Sequence, residues 1–460
     1  MFKNGTEHLG AETSNFIRKR KAGSSEPPTA PETSEFLTFE SFVGQFRAVK
    51  LGILGSGQLS WMLLQSAKKL GLSVDLYASH AEDQATQESA RVTVGSQENH
   101  EALRTFLSRC ETVLFENEFW NTDDLRSLAD SSVEFFPALS AIELAQNKLS
   151  QKHLFQTLGI PTPAFRIYDS SGVGAFVRSV FQEWKTGAVL KWGRMGYDGK
   201  GVFVLDDLRN TKAAETFCER AVQKGVPLYA EEKVHFRREL ALITTRGRNR
   251  DGHRDRHNEQ VFFPLVETRQ KHGVCELVSS LGHEAASLQT TAESWGRSIA
   301  DQAGLLGTFA LEIFETETGG LLANELAPRV HNSGHFSIDG ASVSQFELHM
   351  RAAAGLALET PICRPWFAMW NLLGPSGIES RVRKGGWNEL ADRLNTEFAS
   401  LEKRGIRARS FLYGKSEVRP WRKLGHIGFW ADKPPTIFDV EALREIWTDW
   451  CQSLVPIRRR

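Results

Sequence analysis

A mixed α/β and α+β architecture is what this sequence predicts, and three observations predict it. AVKLGILGSGQL, from Ala48, is a short apolar strand running into a glycine turn, and strand–helix–strand units follow at the pace of a parallel sheet with helices on its faces. From Gln146 the texture shifts to hairpins, with glycines crowded between 193 and 201 and a Gly-Gly pair at 319–320. After Pro361 the remaining chain reads as a smaller α+β unit.

The elements follow in order. SWMLLQSAKKLG places Met62, Leu63, Leu64, Ala67 and Leu70 near helical spacing, with Gly71 as a stop. SVDLYA (73–78) is the next strand, a helix lies around 99–109, and ETVLFENEF (111–119) is another strand. QNKLSQKHLFQTLG is a helix ending at Gly159; GAVLKWGRMGYDGKGVFVL (187–205) has the form of two strands around a glycine-rich loop. PLYAEEKV and RRELALITTR are strands, and the polar, basic stretch 246–258 reads as a solvated hairpin tip. ESWGRSIADQAGLL is a helix, FALEIFETETGGLLANELAP a hairpin, and a tryptophan-rich helix closes the chain near 440–454. Residues 1–45 are rich in Ser, Thr, Glu, Pro and Gly and short of aliphatics, so they bury too little to offset the entropy of ordering. The expected organisation is a disordered tail (1–45), an α/β domain (46–145), a two-lobed central domain (146–360) and a small C-terminal domain (361–460).

Composition narrows the function. Fifty-six basic residues balance 56 acidic ones, so no global field gathers nucleic acid or anionic lipid, and phosphate attraction must be local. The five cysteines stand singly, without metal-cage or disulfide spacing, as reduced thiols do in a cytoplasmic protein. No run approaches the roughly 18 apolar residues of a membrane span.

Candidate chemistry lies in a few segments. Gly55-Ser56-Gly57-Gln58-Leu59-Ser60 offers a phosphate the backbone N–H groups and positive dipole end of a helix N-terminus. It fails as a dinucleotide fingerprint, because Ser60 replaces the third glycine and Tyr77-Ala78-Ser79-His80 stand where a ribose-binding acid belongs. Lys191, with Gly193, Gly196, Gly199 and Gly201 after it, combines a strand-borne cation with a backbone that can approach polyphosphate closely; an ordinary tight hairpin has the same form. Glu312 on one hairpin strand, with Asn324 and Glu325 on the other, sets out hard oxygen ligands of the kind Mg²⁺ takes beside phosphates. Directly downstream, Arg329, His331 and Asn332 form a cradle for a small anion. Lys415, Arg419, Arg422 and Lys423 read as a solvated face unless the fold brings them beside the 55–60 turn.

Together GSGQL, FENE, QNKLSQK, GYDGKG, AEEKVHFRRELA, ETRQKHGVC, NELAPRVHNSGH, SQFELH and YGKSEVRPWRKLGH, collinear from about residue 49 to 430, resemble the ATP-grasp superfamily and, within it, the 5-(carboxyamino)imidazole ribonucleotide synthases. The resemblance implies an ATP-grasp fold with an N-terminal parallel-sheet domain and a small C-terminal domain. It implies ATP and Mg²⁺, aminoimidazole ribonucleotide and bicarbonate as small-molecule substrates, no nucleic acid or membrane partner, and a cytoplasmic homodimer. Lys148 and Lys191 would bind ATP phosphates beneath a loop of Gly196, Tyr197, Asp198, Gly199, Lys200 and Gly201. Glu231, Glu232, Lys233 and Val234 would line the adenine, Glu239 would take the ribose hydroxyls and Gln270 would join them; Glu312 and Glu325, with Asn324, would hold Mg²⁺. Arg329, His331, Asn332 and Ser333 would hold bicarbonate and the carboxyphosphate made from it, with Arg329, His331, Asn332 and Lys191 carrying catalysis. Gln58, Leu59, Lys415 and Arg422 would meet the ribonucleotide phosphate, and Tyr197, Asp198 and Glu116 or Glu118 would orient the rest.

The sequence departs from the family pattern at GSGQLSWM, where the usual turn is GGGQLGRM, so that Ser60 and Trp61 replace Gly and Arg; FENEF also replaces the usual EFENV. A Cβ at position 60 would either crowd a phosphate or sit at little cost in a helix. Two other readings stand beside this one. A different ATP-grasp carboxylate–amine ligase would keep Lys191, Glu312 and Glu325 but need another acceptor pocket. A non-catalytic nucleotide-binding regulator would lose a metal carboxylate or Arg329, and neither is lost.

Overall fold

The computed structural model describes residues 49–89, 91–194, 201–248, 259–282 and 285–455. The expected tail, the Gly196–Lys200 part of the glycine loop and most of the 246–258 stretch lie outside the described residues.

The chain opens with a five-stranded, fully parallel sheet in the order Arg91–Val94, Val74–Ala78, Leu51–Leu54, Thr112–Phe115, Glu134–Phe136. Leu51–Leu54 is apolar and wholly buried, as an inner parallel strand must be. Strand order reverses between it and Thr112–Phe115, so the Gly55–Gly57 turn and the FENE segment leave the sheet side by side. That switch point is where open α/β sheets bind ligands. The helix Gln58–Lys69 turns Leu59, Trp61, Met62, Leu63, Leu64 and Ala67 inward, and Gly71 just beyond it adopts φ 70°. Burying each large side chain is worth about 1.5–3 kcal/mol. These residues share one core with Phe346, Leu348 and Met350 of the helix Gln345–Ala353, and Lys69 pairs with Glu347 at 2.7 Å. The glycine turn is thereby anchored to the central part of the chain.

A second, antiparallel sheet runs Phe165–Ile167, Leu228–Glu232, Ala188–Trp192, Val202–Leu205. The third has nine strands. Its main path is Leu321–Ala327, Gly307–Thr316, Phe236–Arg246, Val266–Lys271, Val274–Ser280, Trp366–Leu373, Lys423–Ala431, Arg407–Leu412, with Gln260–Phe262 paired to Phe236–Arg246. The hairpin expected around Gly319-Gly320 is present, Gly319 taking φ 83°. This sheet runs straight through residue 361. WFAMWNLL is buried along seven of its eight residues and needs a neighbour on each side, which Val274–Ser280 and Lys423–Ala431 supply. Residues of the C-terminal segment therefore supply inner strands of this same sheet. No helix among the described residues is long and apolar enough to cross a membrane, and all five cysteines are free.

Candidate active site

The glycine turn is built around a carboxylate. Glu116, one residue past its strand and 8% exposed, accepts N–H bonds from Gly57 at 2.7 Å and Leu59 at 3.3 Å. The glycines make this approach possible, because a Cβ on Gly57 would lie 2.2 Å from Glu116 Oε1. Burial pushes the Glu116 carboxyl up despite both N–H donors. The Leu59 amide is therefore engaged by Glu116 here. Ser60 resolves its own ambiguity. It is fully buried in the helix, and its hydroxyl donates to the Gly55 carbonyl at 2.8 Å, so its Cβ braces the turn. Trp61 packs into the core.

The C-terminal basic run does reach this turn. Lys415 Nζ donates to Gln58 Oε1 at 3.2 Å, across 357 residues of chain. Burial first, then the charge of Arg422, brings Lys415 down to about 8. Burial disfavours both charges, with Arg422 also opposing Lys415 and Arg419 opposing Arg422, and a phosphate dianion at the helix N-terminus that Lys415 reaches would stabilise them.

FENE divides its labour. Where Glu116 holds the turn, Glu118 chelates Arg329 through Nε at 2.5 Å and Nη2 at 3.1 Å. Burial works against the Glu118 charge, but Arg329 outweighs it and holds the carboxyl below its usual range. The parallel-sheet domain is thus bonded to the Arg329–Ser333 loop, the candidate anion cradle. His331 sits with Nδ1 2.7 Å from Ser333 Oγ and Nε2 3.7 Å from Glu312 Oε1. Burial and the Arg329 charge depress its pKa strongly, so it is a neutral imidazole. Gln345, fully buried, clamps its backbone from both sides, accepting from His331 N at 2.9 Å and donating to His331 O at 2.6 Å.

Glu312 faces Glu325 directly across the hairpin. A regular strand would send Asn324 and Glu325 to opposite faces, but the register slips between Glu312 and Ile313, and the extra residue breaks the alternation. Asn324 Oδ1 is buried without a hydrogen-bond partner among the described residues. Burial and the Glu325 charge raise Glu312 to about 7. Glu239, on the adjacent strand, also rises to about 7, through burial and then Glu312. An orphaned amide oxygen beside crowded carboxylates suits a hard divalent cation. No three His, Cys, Asp or Glu form a cage among the described residues, so phosphate and water oxygens would complete the set.

Lysines meet these carboxylates. Lys148, at the start of the helix Lys148–Thr157 capped by Asn147, pairs with Glu325 at 2.5 Å. Burial opposes its charge, but Glu325, Glu312 and Glu231 together hold the ammonium above the ordinary lysine range. Lys191 donates to Glu231 at 2.6 Å. Lys152, one helical turn after Lys148 and absent from the sequence-based set, is 1% exposed and lies 2.9 Å from Glu231 Oε1. It also donates to Thr162 Oγ1 at 2.9 Å and the Asn324 carbonyl at 3.1 Å. One carboxylate thus serves two ammoniums. Burial opposes the Glu231 charge, yet the two lysines hold it at about 2, while burial takes Lys152 to about 8.

The expected adenine segment is only partly open. The amides of Glu232 and Lys233 already donate to Ala164 O at 2.8 Å and Gly187 O at 3.0 Å, and Lys233 Nζ pairs with Asp206 at 3.2 Å. The Val234 amide has no such partner among the described residues. Gln270 lies exposed at the end of its strand. Gly201, φ 77°, accepts from Trp192 N at 2.9 Å, whereas Gly196, Tyr197, Asp198, Gly199 and Lys200 lie outside the described residues. Arg422 Nη1 donates to the Glu417 carbonyl at 3.1 Å.

A lysine-bearing antiparallel lobe, a carboxylate hairpin and a preceding parallel-sheet domain define an ATP-grasp enzyme. Three family models match in chain order: the ribonucleotide synthetase preATP-grasp domain over 48–146, the ATP-grasp domain over 153–346 and the phosphoribosylaminoimidazole carboxylase C-terminal domain over 368–437. The chain belongs to the N5-carboxyaminoimidazole ribonucleotide synthase family. The enzyme of that name from Mycobacterium tuberculosis is 34% identical over 422 residues, covering 90% of this chain and 92% of its own. The crystal structure of the Aspergillus clavatus synthase complexed with ATP matches at TM-score 0.72 and 28% identity, covering 89% of this chain and 99% of that one. The Aspergillus clavatus complex with ADP and 5-aminoimidazole ribonucleotide matches at TM-score 0.71 and 28% identity, covering 88% and 99%.

Proposed function

We infer that this enzyme carboxylates 5-aminoimidazole ribonucleotide with ATP and bicarbonate, giving N5-carboxyaminoimidazole ribonucleotide, ADP and phosphate. The observation that carries the reading is a run of direct contacts. Lys148 meets Glu325, Glu325 faces Glu312, His331 lies on Glu312, and Arg329 of the same loop is chelated by Glu118 of the nucleotide-binding domain. That continuity supports one site in which phosphate, anion and acceptor groups meet.

Lys148 and Lys191 neutralise and position the transferring phosphoryl group; charge neutralisation and alignment are most of what phosphoryl transfer requires. A bicarbonate oxygen bonds to the γ-phosphorus as the bond to ADP breaks, forming carboxyphosphate. Arg329, neutral His331, Asn332 and Ser333 hold that anion by hydrogen bonding. Its C–O bond to phosphorus then breaks, releasing phosphate, and the exocyclic nitrogen bonds to the freed carbon while its proton leaves with the phosphate. Glu118 keeps Arg329 in place, and Gln58, Lys415 and Arg422 fix the ribonucleotide phosphate. Mg²⁺, held by Glu312, Glu325 and Asn324, would supply Lewis-acid neutralisation of the ATP phosphates. The family resemblance extends the proposal to a cytoplasmic homodimer, which light scattering of the purified protein tests.

The deciding experiment is phosphate release from Mg-ATP with and without bicarbonate and aminoimidazole ribonucleotide. Release that needs both, and collapses in Glu325→Gln, is expected. Turnover indifferent to the ribonucleotide would transfer the assignment to an ATP-grasp ligase with a different acceptor.

A further inference from the structure

Asn332 does not set its own orientation. Its side chain forms a reciprocal amide pair with Asn371, donating from Nδ2 to Asn371 Oδ1 at 3.1 Å and accepting at Oδ1 from Asn371 Nδ2 at 2.7 Å. Asn371 lies on the strand Trp366–Leu373 and is 1% exposed; Asn332 is 8% exposed. Taken alone, such a pair is unchanged when both amides flip. A third contact removes the ambiguity, because Asn371 Nδ2 also donates to the Cys275 carbonyl at 2.9 Å. A carbonyl can only accept, so it must face the amino end of Asn371. Both Asn371 hydrogens are then used, its oxygen must face Asn332, and Asn332 has one N–H without a partner among the described residues, left for a ligand.

We propose that Asn371 is a positioning residue for carboxylation: bound to the Cys275 carbonyl, it orients the Asn332 amide so that one N–H is presented to the bicarbonate-derived anion. The proposal rests on the assignment of Asn332 to that anion. Without Asn371 the Asn332 amide can rotate and offer its oxygen, which repels an anion. The strand Trp366–Leu373 is thereby part of the catalytic apparatus.

A double-mutant cycle tests this, with bicarbonate-dependent carboxylation measured in wild type, Asn371→Ala, Asn332→Ala and the double variant. Asn371→Ala is expected to lower kcat/KM for bicarbonate by about 10- to 100-fold, the share of one hydrogen bond to a charged group, with KM for ATP within twofold of wild type. In the Asn332→Ala background the same change is expected to cost less than about twofold, because coupled residues are not additive. Equal losses in both backgrounds, or an equal rise in KM for ATP, would overturn the proposal. If Asn371→Ala does not fold, Asn371→Ser, which keeps a donor for the Cys275 carbonyl but lacks the reciprocal pair, is required to show the same bicarbonate-selective loss. A wild type that carboxylates normally beside an unimpaired Asn371→Ala sinks the positioning role alone. A wild type with no bicarbonate-dependent turnover sinks the function as well.

Discussion

Lys152→Met isolates the charge arrangement beneath the candidate phosphate site. The Lys152 side chain is 2% exposed, and its ammonium meets Glu231, Thr162 and the Asn324 carbonyl at 2.9, 2.9 and 3.1 Å. Methionine fills a similar volume without charge, so packing is largely kept. Removing one partner of a buried ion pair costs about 3–5 kcal/mol when the other charge is left bare. Here Lys191 still compensates Glu231, so the low end, about 3 kcal/mol, applies. Spread over an unfolding entropy of about 2.1 cal/mol/K per residue, that lowers Tm by about 3–4 °C.

The larger effect falls on ATP. With Lys152 present, Lys191 can turn to a phosphate while Glu231 stays neutralised. Without it, each such turn abandons a buried carboxylate, so Lys191 stays on Glu231. KM for ATP is expected to rise by about 10- to 100-fold, equivalent to one charge-assisted hydrogen bond of roughly 1.5–3 kcal/mol, with KM for bicarbonate little changed. Adding Glu231→Gln removes the competing carboxylate and should restore most of the ATP affinity. ADP release in a coupled assay, with thermal melts alongside, reads both effects. A single variant with wild-type KM for ATP, or a double variant no better than the single, would refute the reasoning.

Other perturbations test the remaining parts. In metal-free protein, Glu312 at about 7 stands above its ordinary 4.5, so its stabilising contribution is fully present below 4.5 and lost as pH rises through 7. With about a third of the side chain exposed, screening trims that contribution to about 1–2 kcal/mol; Glu312→Gln should gain Tm relative to wild type between pH 5 and pH 8, and a pH-independent difference contradicts this. Lys415→Met or Arg422→Met should raise KM for aminoimidazole ribonucleotide at least about tenfold while KM for ATP stays put; steady-state kinetics with each substrate varied decides it. Gly57→Ala places a Cβ 2.2 Å from Glu116 Oε1 and should push that carboxylate off the turn, with kcat/KM for the ribonucleotide falling while ADP binding by calorimetry is unchanged.

Much of this arrangement was legible in the sequence, for local reasons. Period-two strands around glycine turns marked the hairpins and put Glu312 and Glu325 on facing strands of one of them, but regular alternation would have set Asn324, not Glu325, opposite Glu312. The basic run at 415–423 was undecidable alone, because its meaning depended on a 357-residue closure that only the fold performs. Lys152 was hidden for another reason: four residues after Lys148 on a polar helix, it looks like a second solvated lysine until Glu231 arrives from a distant strand. Asn371 is one polar residue inside the apolar run WFAMWNLL, and its partners Asn332 and Cys275 lie 39 and 96 residues away. The slip that re-aims Asn324 has no composition signal at all. Sequence periodicity reports which face a residue takes, not which charge waits opposite.

The candidate ligands also bind one another. Lys148 holds Glu325, Lys191 holds Glu231, Arg329 holds Glu118 and Lys415 holds Gln58. An unpaired ammonium at such depth would be costly, so Lys148 and Lys191 each keep a carboxylate partner that a substrate oxygen can replace. Substrate binding is then an exchange of anionic partners rather than the desolvation of bare charge. That exchange works only where the displaced carboxylate keeps a second neutralising group. Glu231 has Lys152 for this purpose, and Glu325 would have the divalent cation. Among the described residues the Glu118 carboxylate has no second cation at hydrogen-bond distance, so its bidentate grip on Arg329 should persist through turnover, leaving the candidate anion cradle the least mobile part of the site.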